Sequence, residues 1–280
     1  MKELNGILKP EDYAEPRCLL CGEQYGKAPE VKPVPQKRII EKMDEYMSRR
    51  DYAGAERHLN YWLQEAELGG DVRGQLLICN EFIGHYRKTA NRDKAFEYIS
   101  KALDLTEEAG LGGTVSAGTT YINAATAYNA FGENKKAVSL FEKARDIYES
   151  RDDTRSELKG GLYNNMGLVY AALGRYEEAF DAFDRAIASM EGVPGGVLDQ
   201  AITYLNIADA VAASEGMEKG ESRIFGLLDK AYDMLINGPA EHNGYYAFVC
   251  EKCAPVFSHY GYFAAEEKLN ALAKEIYERD

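Results

Sequence analysis

The chain has 280 residues, 45% of them hydrophobic and 28% charged, which is enough apolar material to bury a core and excludes an intrinsically disordered polypeptide. A net charge of −13 creates a field that repels phosphates and anionic lipid heads, so neither nucleic acid nor a membrane surface is expected as a partner. No run of about 18 apolar residues occurs, the opening MKELNGILKPEDY has no signal-type apolar core, and the five cysteines are odd in number, so a cytoplasmic chain with reduced thiols is expected.

In chain order, residues 1–36 carry Pro10, Pro16, Pro29, Pro33 and Pro35, which predicts an extended N-terminal segment rather than a helix. The same segment holds Cys18-Leu-Leu-Cys21. From residue 37 to 280 the chain matches itself at an offset of 42, aligning Tyr86, Tyr128 and Tyr170, then Ala95, Ala137 and Ala179, then Ala102, Ala144 and Ala186. A period of this length marks stacked supersecondary units. The repeats predicted are 37–70, 76–112, 118–151, 160–196, 201–238 and 245–280. The glycine pairs 69–70, 112–113 and 195–196, together with Asn237-Gly238, stand at the predicted ends of the second helices, where left-handed caps are expected. Between Val211 and Ile224 the fifth repeat is longer than the others, which predicts an insertion in its hairpin.

The fourth repeat is the clearest copy: Tyr163-x2-Met166-Gly167-x2-Tyr170, then Gly174, Ala179-x3-Phe183 and Ala186. It resembles the tetratricopeptide repeat signature, with Tyr in place of Trp and Met in place of Leu. The 40-odd-residue length is similar to repeats of kinesin light chains and bacterial peptide receptors. That resemblance implies an all-α, right-handed superhelical solenoid of about six helix hairpins. It also implies that the first helix of each repeat lines a concave groove for a protein or extended peptide.

In the third repeat the groove stripe is Asn123, Thr126 and Asn129, at spacings of three, while Tyr121 and Ala125 face the packing. Equivalent positions carry Asn165 and Asn206, and Asn164 stands beside the first of these. An asparagine offers both an acceptor and a donor, so a row of them can hold a peptide backbone whatever its side chains; in the resembled arrays such a ladder does so. The outer repeats carry Glu41, Glu81 and Lys252 instead, and Arg87 and Asp209 belong to a rim of mixed charge. The competing reading is that the asparagines bond neighbouring helices and stiffen the stack.

A second pair, Cys250-Glu-Lys-Cys253, lies in the last repeat. With Cys18 and Cys21 it would complete a four-thiolate zinc site, and a thiol redox or regulatory protein is a further alternative. Against both, Cys250 and Cys253 occupy packing slots held elsewhere by Tyr163 and Met166. His58, His85, His242 and His259 fall in different repeats with no nucleophile signature beside them, so a non-catalytic scaffold is expected. A homodimer remains open.

Overall fold

The structure, a computed structural model of the chain, describes residues 31–279. Among these residues there are twelve α-helices and no strand: α1 (Gln36–Ser48), α2 (Tyr52–Leu68), α3 (Val72–Lys88), α4 (Arg92–Glu108), α5 (Val115–Ala130), α6 (Asn134–Glu149), α7 (Ser156–Ala172), α8 (Tyr176–Ser189), α9 (Gly196–Glu215), α10 (Met217–Asn237), α11 (Gly244–His259) and α12 (Phe263–Tyr277). No described helix is long and apolar enough to cross a membrane. The chain divides into two compact units, Met1–Arg151 with α1 to α6 and Asp152–Asp280 with α7 to α12. In each unit consecutive helices pair as hairpins, and each hairpin packs on the next. Among the described residues the expected all-α class and the expected six helix hairpins are observed.

Several helices, α2 to α5 among them, begin where a short polar side chain satisfies a free amide. Asp51, Asp71, Asn91 and Thr114 accept from the backbone N–H three residues on, at 2.8–3.2 Å, as helix caps do. Asp71 has a second task. Its carboxylate, in a residue only 1% exposed, also accepts from the Val34 N–H at 2.9 Å, while Lys32 N–H donates to the Gly69 carbonyl. Residues 31–35 are thereby fastened to the turn between α2 and α3, with Val34 buried.

The alternation of small and aromatic residues builds the hairpins. Ala95, Ala137 and Ala179 are fully buried on the second helices, and Phe82, Phe141 and Phe183 fill the space between helices. At Gly167 a Cβ would lie 2.4 Å from the Phe183 ring, and at Gly118 2.3 Å from that of Tyr148, so both glycines are fixed by close approach.

The turn within a hairpin needs a left-handed residue, supplied by Gly132, Gly174, Gly216 and Gly261 in four repeats and by Arg50 (φ 56) and Ala90 (φ 55) in the other two. Between hairpins the left-handed glycines are Gly70, Gly110, Gly192 and Gly195. The expectation therefore holds at 70 and fails at 112, 113, 195 and 238: Gly195 is left-handed but is the N-cap of α9, past the end of α8 at Ser189. α4 ends two residues before Gly110, and Gly238 is extended at φ −69, ψ 157. The long fifth repeat contains no loop insertion. Its extra residues lengthen α9 to 20 and α10 to 21, joined by Gly216 alone.

Candidate binding surface on the first helices

On the first helices of the third, fourth and fifth repeats the packing residues are buried and the predicted stripe is more exposed. On α5, Tyr121, Ala124 and Ala125 are buried, while Asn123, Thr126 and Asn129 are partly exposed. On α7, Tyr163 and Met166 are buried, while Asn164 and Asn165 are partly exposed; on α9, Asn206 is partly exposed and Asp209 exposed. The three-residue spacing thus separates the two faces as expected.

In the first unit, Asn123 Nδ2 donates to Asn80 Oδ1 at 2.8 Å. Asn80, 3% exposed on α3, in turn donates to Thr120 Oγ1 at 3.0 Å and to the Leu76 carbonyl at 2.8 Å. The second unit repeats the device: Asn206 Nδ2 and Thr203 Oγ1 both donate to Asn164 Oδ1, at 2.8 and 3.1 Å. Each clasp joins the first helices of successive repeats through an asparagine on one and a Thr-x2-Asn pair on the other, residues three apart and so on one face. Asn80, Thr120 and Thr203 had no assigned part in the sequence reading; the recurring Thr-x2-Asn is the signal that could have found them. The clasp uses one N–H of Asn123 and of Asn206. Asn165, Thr126 and Asn129 have no side-chain hydrogen bond among the described residues.

Flanking groups are charged or aromatic. In the first unit Arg87 is exposed at the end of α3. Glu81, one residue past Asn80, has its carboxyl pushed up to about 7 by burial and, secondarily, by the charge of Asp44. In the second unit Asp209 accepts from Tyr260 Oη at 2.7 Å and Asp199 from Tyr245 Oη at 2.9 Å. Tyr245 and Phe248 are exposed large aromatics on α11, with near-parallel rings 6.3 Å apart.

The cysteines divide by location. Cys250 and Cys253 are free and buried within α11, and Cys79 is free and buried in α3. Burial pushes the thiols of Cys79 and Cys253 up to about 12, so they pack as apolar groups. Cys18 and Cys21 lie outside the described residues. Among the described residues no group of three or more His, Cys, Asp and Glu side chains could hold a metal ion. His85, inside α3, has its pKa lowered by burial, and His58 bonds the Ile39 carbonyl at 3.2 Å.

Comparison with protein families matches the tetratricopeptide repeat over residues 79–150 and 160–219. No curated protein matches the chain. Among solved structures, BtubC (BKLC) from P. vanneervenii is similar with a TM-score of 0.61 and 21% identity, covering 74% of this chain and 83% of that one. A putative kinesin light chain with nearly identical TPR-like repeats from Podosopora anserina is similar with a TM-score of 0.51 and 16% identity, covering 73% and 96%. Identities this low establish the shared fold alone.

Proposed function

Because residues 79–150 and 160–219 are tetratricopeptide repeats, we propose that this chain is a non-catalytic scaffold that binds a protein or an extended peptide along the first helices of its hairpins. Repeats of this kind are generally protein-interaction scaffolds. The observation that carries the reading is the unused hydrogen-bonding capacity of partly exposed polar side chains on the first helices within each unit. Asn165, Thr126 and Asn129 have no side-chain partner among the described residues, and an extended peptide presents alternating N–H and C=O groups that such side chains can meet. Asn123 and Asn206 contribute in a different manner. Each is held in one orientation by its clasp, with the carbonyl oxygen left for a ligand, and preorganisation of that sort lowers the entropy lost on binding. Arg87, exposed at the end of α3 in the first unit, and Asp209, exposed on α9 in the second, each add a charge within their own unit. The acidic net charge favours polypeptide over nucleic acid, and the three free buried thiols are compatible with a reducing, cytoplasmic setting.

The test is a pull-down from a peptide or proteome library with the wild type and with an Asn129→Ala/Asn165→Ala variant. Neither residue has an internal side-chain bond to lose, so the variant keeps its circular dichroism and its melting temperature. Loss or marked weakening of the captured partners is expected. A folded variant that retains every partner at unchanged affinity refutes the reading.

A further inference from the structure

Away from the asparagine stripe, the second unit contains a cavity of about 620 Å3 at the N-terminal ends of α7, α9 and α11, within the size range of ligand pockets. It is assembled from the α8–α9 and α10–α11 connections together with the first turns of the three helices. Its walls are of two kinds. Met190 and Leu198, both buried, with Pro239 form an apolar wall, and Glu157, Asp199, Glu241 and the Tyr245 phenol form a polar one. Among the described residues that line it there is no lysine, arginine or histidine.

The lining itself carries no positive charge, and among the described residues the one cation acting on Asp199 is Lys252, which lies outside the lining. Tyr245 Oη donates to Asp199 Oδ1 at 2.9 Å, which orients the carboxylate at the cavity wall. Burial raises the Asp199 pKa and the charge of Glu157 adds to the rise, against which Tyr245 and Lys252 give partial relief. A carboxylate withdrawn from water next to another negative group is stabilised by an entering cation. A bare metal ion does not suit the geometry, since no group of three or more carboxylate, imidazole or thiol side chains among the described residues lies close enough to chelate one. A cation on an apolar stem does suit it: methylenes run along the Met190, Leu198 and Pro239 wall while the head reaches the carboxylates, and a guanidinium can engage two oxygens at once. The exposed ring of Phe248, beside that of Tyr245, continues the surface along α11 for the residue that follows.

We propose that this cavity receives a lysine or arginine side chain of the bound polypeptide and so makes the chain selective for basic segments. The inference rests on the scaffold reading above. The test uses the full chain and fluorescein-labelled nonapeptide pools, randomised except for a central residue fixed as Lys, Arg, norleucine or Glu, with affinity read by fluorescence anisotropy. The Lys and Arg pools should bind about tenfold more tightly than the norleucine pool. In a Glu157→Gln/Glu241→Gln variant, both of whose sites are exposed, that ratio should fall towards one while norleucine-pool affinity stays constant. Asp199→Asn, which keeps an oxygen for Tyr245, should lower the ratio by itself. Peptides bound without basic preference, or a preference that survives the double substitution, overturn the cavity assignment and leave the scaffold reading standing. Failure of every pool to bind overturns both.

Discussion

Replacing Asn123 by alanine removes the single amide that satisfies Asn80 Oδ1, in a residue 3% exposed. An acceptor left unpaired at such a site costs about 1–3 kcal/mol, a large share of the stability of a small folded unit. Asn80→Ala removes the acceptor itself. Thr120 keeps its bond to the Ser116 carbonyl, and the partly exposed Asn123 amide can turn to water, so what remains is a small cavity and the lost bonds, about 1–2 kcal/mol. In the Asn80→Ala background the Asn123→Ala change then has little left to remove. A double-mutant cycle should therefore give a coupling energy of about 1–2 kcal/mol. The assay is urea unfolding followed by fluorescence of Trp62, the sole tryptophan in the chain and a buried residue of α2 in the same unit. If Asn123→Ala is neutral within about 0.3 kcal/mol, or the two changes add without coupling, the clasp contributes nothing and its asparagines are merely adjacent.

Two further outcomes follow from the first unit. The Glu81 carboxyl is raised from 4.5 to about 7, so its contribution to stability is fully present below the unfolded value and is lost as pH rises through about 7; Trp62-monitored stability should increase between pH 8 and pH 5.5, and Glu81→Gln should raise it at pH 8 by about 1–3 kcal/mol while flattening that pH dependence. Ala90 holds φ 55 in the turn between α3 and α4, where glycine has no Cβ to strain, so Ala90→Gly should stabilise the unit by about 0.5–1 kcal/mol in the same urea titration, and a loss of stability would contradict that account.

The hairpins were legible because their cause is local. Tyr86, Tyr128 and Tyr170 with Ala95, Ala137 and Ala179 recur at fixed spacing since close helix approach admits only small residues opposite aromatics, and the exposure of Asn123, Thr126 and Asn129 follows from three-residue spacing alone. The partner of Asn123 was not legible. Its acceptor, Asn80, stands one residue after the tyrosine slot of the preceding repeat, and only the rotation between α3 and α5 brings the two together. The long fifth repeat announced extra residues without saying whether they coil. Ala212, Ala213, Glu215, Met217 and Lys219 include strong helix formers, so two longer helices won over a loop. The cavity stayed hidden for a related reason: Glu157, Asp199 and Glu241 are far apart in sequence and meet only where three helix ends converge.

The two clasps bear on how such a chain avoids assembling itself wrongly. Hairpins built to one pattern can exchange neighbours during folding, and misassembly is a characteristic failure of repeat proteins. Apolar packing discriminates poorly, because every hairpin offers nearly the same aromatic and alanine surface. Asn80 and Thr120-x2-Asn123, echoed by Asn164 and Thr203-x2-Asn206, act as address labels. The third repeat has Ile122 where Asn80 and Asn164 stand, so a Thr-x2-Asn helix docked against it would bury an amide without an acceptor and separate again. Each unit carries one label inside itself, between its first helices, and can verify its own stacking order before a ligand is ever met.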